Sequence, residues 1–260
     1  MHYKSLRTLM SFVLLWTLIS LACGSVQPAA EPTNTLAPTS TETAVSTPTQ
    51  TPRPSATPRP TQTPNFTATE RTAEMNSEIL EYFENGYLTT TDGMFRELDD
   101  FSYDWAQLGY YLPFLIQDSV GDFVLSAHFK WDSAFQNSDI SGCGFIFGMQ
   151  PNEDHYAVFL DRQKVFFLIT DHTVGFSRPV TPTRGTGAVN FDYPAEADFT
   201  LIVRGAYAYV LVNGDVAAEY TLAQSRLSKG GIALTVLSGT NRDYGTRCEM
   251  TNLHLWLPNE

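Results

Sequence analysis

The sequence is short of positive charge: 16 lysines and arginines stand against 28 aspartates and glutamates, a formal net charge of −12. Four of the basic residues (Lys4, Arg7, Arg53, Arg59) and two of the acidic ones (Glu31, Glu42) precede Glu70, so 12 basic residues face 26 acidic ones from there on, near −14. Such an excess repels polyanions, which argues against nucleic acid and anionic lipid as partners of this part and favours solubility in a crowded medium. Other absences narrow the chemistry. No serine sits in a G-x-S-x-G elbow, and no glycine-rich loop precedes a helix as a phosphate cradle requires, so nucleotide chemistry is excluded. His128, His155, His172 and His254 show neither H-x-H nor H-E-x-x-H spacing, and the two widely separated cysteines Cys143 and Cys248 lack the paired spacing of zinc ligands, so neither a metal nor a cofactor is expected.

What the chain does have begins at its N-terminus. Lys4 and Arg7 supply a positive start, and Leu9 to Ala22 is an uncharged apolar stretch, shorter than the ~20 residues a membrane-spanning helix needs. This is the pattern of an export signal over residues 1–22. Ser20-Leu21-Ala22-Cys23-Gly24 resembles a bacterial lipoprotein box, with Ser20 where that family usually has Leu. The resemblance implies cleavage before Cys23 and a lipid on its sulfur, an anchor to which each buried CH₂ contributes about 0.8 kcal/mol. An ordinary signal cut elsewhere, or an uncleaved anchor, is the alternative.

Residues 23–66 form a Thr/Pro-rich tether. Thr51-Pro52-Arg53-Pro54 is echoed by Thr57-Pro58-Arg59-Pro60, and large apolar residues are almost missing. Such a segment cannot bury a core, so it is expected to be disordered. Extended at about 3.1 Å per residue, it would lift its cargo on the order of 100 Å from a membrane. Its Thr and Ser beside Pro suit O-glycosylation, whereas Asn65-Phe66-Thr67 matches an N-glycosylation sequon that a bacterial setting makes a chance match.

From Thr67 the pattern changes. Thr67 with Glu70 reads as a capping box, and Met75, Ile79, Tyr82 and Phe83 recur at helical spacing until Gly86, predicting one amphipathic helix over 67–86. Residues 87–260 then read as a β-domain of short alternating or apolar runs. The clearest strands are Phe123–Trp131, Gly142–Met149, Tyr156–Asp161, Lys164–Thr170, Phe199–Arg204, Tyr207–Val212, Val216–Tyr220, Gly231–Leu237 and Cys248–Trp256. Asn213-Gly214 is the strongest hairpin signal because both residues tolerate the positive φ of a type I′ turn, and Arg204-Gly205-Ala206 is a second. Many strands without helical crossovers indicate an all-β, antiparallel jelly-roll sandwich.

The order of Asp122-Phe123-Val124-Leu125, Gly142-Cys143-Gly144-Phe145-Ile146-Phe147, Phe199 to Val203, Val212-Asn213-Gly214 and Gly230-Gly231-Ile232-Ala233-Leu234 resembles the concanavalin A-like lectin/glucanase sandwich. The laminin-G-like and keto-disaccharide-hydrolase-like branches are the nearest in pattern. The resemblance covers about Asp122 to Trp256 and implies a fold rather than an activity.

With Cys23 assigned to lipid, Cys143 and Cys248 remain as an even pair in an oxidising compartment, where a disulfide is the simplest outcome and two free buried thiols the alternative. Glycosidases of the resembled fold place carboxylates two apart on one strand face. Glu196-Ala197-Asp198 is the nearest imitation, a weak catalytic candidate, since it lacks the third carboxylate of the family's Glu-x-Asp-x-x-Glu pattern and follows Pro194 as a loop leading into a strand would. Glu97, Asp99 and Asp100 are a second acidic cluster, read as surface. Sugars are gripped by aromatic faces and planar polar groups. Trp105, Tyr110 and Tyr111 offer the first, and Asn241, Arg242, Asp243 and Tyr244, in a polar, glycine-punctuated loop, offer the second. The bland alternatives are core aromatics and turn residues. Two oxygens from Asp243 and Asn241 fall short of the 6 to 8 that calcium takes.

The sequence therefore predicts a lipid-anchored, exterior-facing, non-catalytic domain that binds carbohydrate or an extracellular protein. A glycan-active hydrolase or lyase of the same fold, and a purely structural or assembly domain, are the two alternatives.

Overall fold

The computed structural model describes residues 66–138, 140–173 and 176–259; Cys23 and the tether up to residue 65 lie outside the described residues. Two seven-stranded antiparallel sheets pack face to face. Sheet 1 runs in the order β1 (Gly93–Glu97), β14 (Thr246–Pro258), β5 (Phe123–Ser133), β10 (Ala195–Arg204), β11 (Tyr207–Val212) and β12 (Asp215–Thr221), with β2 (Phe101–Trp105) also paired to β14. Sheet 2 runs β3 (Tyr110–Tyr111), β13 (Gly230–Ser238), β6 (Gly142–Met149), β7 (His155–Asp161), β8 (Val165–Asp171) and β9 (Phe176–Pro179), with β4 (Phe114–Val120) also paired to β13. The all-β antiparallel sandwich read from the sequence is the architecture the chain adopts.

Alternation explains the core. Phe123, Leu125, Ala127, Phe129 and Trp131 of β5 point between the sheets and meet Phe145 and Phe147 of β6 and Phe199 and Leu201 of β10. Rings interlock across the gap, Phe129 with Phe145 at 5.1 Å and Phe167 with Tyr220 at 4.2 Å between centroids, and full burial of each such side chain contributes ~1.5–3 kcal/mol. Cys143 of β6 and Cys248 of β14 are joined by a disulfide, Cα to Cα 5.5 Å, which ties one sheet to the other. At the turn between β11 and β12, Asn213 and Gly214 have φ of 52° and 84°, the geometry that the Asn-Gly pair predicts.

The helix α1 (Phe66–Glu84) lies on the outer face of sheet 1. Its Ile79 and Tyr82 pack on Val124, Ile202, Leu211 and Trp256, and burial, followed by the nearby Glu78 charge, pushes the Tyr82 phenol up to about 12. Gly86, at φ 77°, closes the helix: its N–H reaches Phe83 O and that of Tyr87 reaches Tyr82 O, the paired bonds of a Schellman motif. Two details depart from the sequence reading. Thr67 is helical rather than capping, because the helix already includes Phe66. Phe83 stays 43% exposed, because a stripe at Met75, Ile79 and Tyr82 is too narrow to bring it onto the sheet.

The strands also run longer than expected. β10 begins at Ala195 rather than Phe199, since Ala195 and Ala197 are small enough to fill the inter-sheet space opposite Trp131 and Phe129 of β5. Glu196 and Asp198 are therefore strand residues on the outer face, not part of a loop before the strand.

Candidate functional site

The outer face of sheet 1 is partly covered by α1, and no helix among the described residues covers the outer face of sheet 2. That second face is built on glycine. Gly142 and Gly144 occupy outward positions of β6, and a Cβ on Gly144 would meet the Phe159 ring at 2.5 Å, so the missing side chains let that ring lie across the strand. Tyr111, reaching over from β3, packs edge-on against Phe159 with centroids 5.2 Å apart and against the His155 ring at 5.7 Å.

A row of polar groups crosses this floor. His155, Thr170 and Ser177 are in register on β7, β8 and β9. The Tyr111 hydroxyl lies 2.8 Å from His155 Nε2 and 2.8 Å from Thr170 Oγ1, and Thr170 Oγ1 lies 2.7 Å from Ser177 Oγ. The proton positions follow from the far end. His155 Nδ1 is 2.5 Å from the Glu153 carbonyl oxygen, which can only accept, so Nδ1 carries the hydrogen and Nε2 of the neutral ring accepts from Tyr111. Burial lowers the His155 pKa and so favours that neutral ring; burial also raises the pKa of the Tyr111 phenol. With its proton committed to His155, Tyr111 accepts from Thr170, which accepts from Ser177. Ser177, exposed, is left with lone pairs for an incoming hydroxyl.

The turn before His155 is held by an ion cluster of two buried carboxylates and an exposed arginine. Asp154 is fully buried, accepts the His172 backbone N–H at 2.7 Å and Asn152 Nδ2 at 2.8 Å, and pairs with Arg226, which also reaches Asp171 at 2.8 Å. The His172 N–H, with Asn152 and Arg226 after it, holds the Asp154 carboxyl well below the usual carboxylate range. Glu153, at φ 65°, turns its carbonyl toward His155 in consequence.

Beside the polar row lies a cavity of 400 Å³, bounded by Tyr111, Ile140, Phe166, Leu168, Pro179 and Leu237. Lys164 Nζ stands 5.5 Å from the centre of the Phe166 ring. An apolar and aromatic wall next to a short row of oriented hydroxyls suits a ligand with one hydrophobic and one hydroxylated side.

Of the residues singled out in the sequence, Tyr111 lies in this site. Tyr110 points away from it and is 60% exposed, and Trp105 packs at the margin of the inter-sheet core, its Nε1–H donating to Tyr110 O at 3.0 Å. Asn241, Arg242, Asp243 and Tyr244 do not line the cavity, although Leu237 and Gly239 at the foot of their loop do. The loop is engaged in its own contacts: Arg242 stacks over Phe135 at 4.2 Å, the Tyr244 hydroxyl donates to Asp132 at 2.8 Å, and Asp243 and Gly245 take positive φ in the turn. Glu196 and Asp198 face in-register partners on β5, Lys130 at 3.6 Å and His128 at 2.9 Å. Asp198 also borders a 510 Å³ groove between α1 and sheet 1 that is lined by Arg71, Glu78, Glu97 and His254. No group of three His, Cys, Asp or Glu suited to a metal ion occurs among the described residues, and none of their helices is long and apolar enough to cross a membrane.

His155, Thr170, Ser177 and Phe166 carry no sequence motif. The signal they do give is a polar residue at the outward position of two otherwise apolar strands: His155 before Ala157 and Phe159, and Thr170 after Phe166 and Leu168.

No family model matches the chain, and no curated protein matches it. Among solved structures, a carbohydrate-binding module from Bacillus subtilis aligns at 12% identity and a TM-score of 0.45 over 61% of this chain and 92% of its own. A fructosyltransferase from A. japonicus aligns at 14% identity and 0.42, over 65% of this chain but 27% of its own length. A Crh5 transglycosylase aligns at 9% identity and 0.40, over 61% of this chain and 72% of its own. At these values the likeness is one of general sandwich shape.

Proposed function

We propose that this protein is a non-catalytic carbohydrate-binding domain displayed outside the cell on a lipid anchor at Cys23. The observation that carries the reading is the Tyr111–His155–Thr170–Ser177 row beside the Phe166 and Leu168 wall: a sugar ring presents apolar C–H groups on its face and hydroxyls at its rim, and this site offers a partner for each. The strongly acidic surface of the domain agrees with a soluble exterior module and with a ligand other than nucleic acid. Two experiments test the proposal. The full chain, purified in detergent, is applied to a glycan array; saturable binding that Tyr111→Ala abolishes is expected, and uniform failure with the fold intact would remove the carbohydrate reading. For the anchor, labelled palmitate should enter the wild type and not Cys23→Ala, and equal labelling of the two would remove it.

A further inference from the structure

The edge strand β9 has two sides. Ser177 and Pro179 register with Thr170 and Leu168 on the outer face, whereas Arg178 registers with Ile169, whose side chain belongs to the inter-sheet core. A second cavity, of 220 Å³, lies here, bounded by Tyr156, Arg178, Thr181, Thr221 and Gln224. Arg178 and Pro179 line both cavities, so the two adjoin across the rim of the sheet.

The chemistry of the second cavity differs from that of the first. Arg178 forms no ion pair with a carboxylate among the described residues, in a domain where 26 acidic residues face 12 basic ones from Glu70 on. The Tyr156 hydroxyl accepts the Gln224 backbone N–H at 3.0 Å, which leaves its own proton to give. Burial raises the pKa of that phenol while the charges of Arg226 and Arg178 act the other way, so it stays protonated at neutral pH. Three donor-bearing side chains thus border this cavity: the Arg178 guanidinium, the Tyr156 phenol and the Thr181 hydroxyl. A guanidinium pairs best with a planar two-oxygen anion.

We propose that the Arg178 cavity is a subsite for a carboxylate-bearing sugar, and that the ligand is an acidic oligosaccharide crossing β9 with one ring against Phe166 and the carboxylate of the next on Arg178. This rests on the carbohydrate reading of the outer cavity. From the guanidinium a neutral chain would gain only ordinary hydrogen bonds to hydroxyls, weaker than the charge-assisted pair a carboxylate makes, and the domain's net charge would disfavour an acidic chain without that pair.

Calorimetric titration of the full chain in detergent with tetrasaccharides of galacturonate, glucuronate and mannuronate, each beside its methyl ester, separates charge from shape. Expected is about tenfold tighter binding of one acid over its ester, from a single charge-assisted pair. Arg178→Gln should bring the acid to the affinity of the ester, and Arg178→Lys should restore part of the difference. Equal affinity for acid and ester, or a preference that survives Arg178→Gln, overturns the subsite and leaves the carbohydrate reading standing. A glutamate peptide of equal charge bound in preference to every sugar also overturns it. Failure of every acid and every ester to bind overturns the carbohydrate reading itself, and this inference with it.

Discussion

The Tyr111 hydroxyl stands 2.8 Å from His155 Nε2 although the residues are 44 positions apart and their strands, β3 and β7, are separated by β13 and β6. Gly144 leaves room on β6 for the Phe159 ring, and Tyr111 packs edge-on against that ring on its way to His155. Tyr111→Phe keeps the ring and removes the hydroxyl, leaving His155 Nε2 and Thr170 Oγ1 in part-buried positions without that partner. A loss of ~1–3 kcal/mol of stability is expected, read from urea unfolding. Sugar binding should weaken less than in Tyr111→Ala, because the hydroxyl is already engaged and only the alanine variant removes the ring face.

The buried His155 gives the site a pH dependence whose sign can be worked out. Its folded pKa lies below the unfolded value of 6.5 because burial disfavours the charged ring; His172 acts in the same direction, and Glu153 and Asp154 oppose it. As pH falls from 7 through the unfolded value toward the folded one, the unfolded chain binds more protons, so this group removes stability in that window and contributes nothing to the slope above it. Asp154 acts separately, its contribution being present above the ordinary carboxylate range and lost only as pH falls below it. Thermal melts between pH 7 and 5 should show a slope that His155→Gln flattens. Protonation at Nε2 also reverses the hydrogen-bonded row, so that Ser177 presents a proton instead of a lone pair. Glycan affinity should therefore change as pH falls through the lowered folded pKa of His155 in the wild type and remain flat in Ser177→Ala.

Some features were legible in sequence because they are local. The alternation of Phe123 to Trp131 gave both the strand and its buried face, and Asn213-Gly214 gave a hairpin whose φ values are those the residue types favour. The site was legible only in part. Tyr111 could be named as an aromatic outside the main run, but its partners His155, Thr170 and Ser177 come from three further strands, and register across a curved sheet leaves no mark on spacing. Phe83 shows the converse: helical spacing identified the amphipathic helix, yet only packing decides which side of a narrow stripe meets the sheet.

The helix offers a contrast between neighbours. Ile79 is 3% exposed against Trp256 and Ile202, whereas Leu80 is 49% exposed. Ile79→Ala should cost ~2–4 kcal/mol by transfer and cavity terms, and Leu80→Ala should stay within ~0.5 kcal/mol. Denaturant midpoints at constant slope provide the measurement. Equal and small effects would mean that α1 is not docked on sheet 1.

The disulfide should matter to the sandwich more than to the sugar site. Cys143 and Cys248 close a loop of 105 residues and join β6 to β14, while the Tyr111 row uses β3, β7, β8 and β9. Loop-closure entropy over that span predicts up to ~4.7 kcal/mol, and native bridges commonly deliver 2–4, so the doubly substituted Cys143→Ala/Cys248→Ala variant should unfold at markedly lower denaturant. Binding at temperatures where that variant remains folded should be unchanged, since the outward face of β6 is set by Gly142 and Gly144 and not by the inward cysteine between them. Loss of glycan affinity in the folded variant would show instead that the bridge positions the floor on which Tyr111 and Phe159 rest.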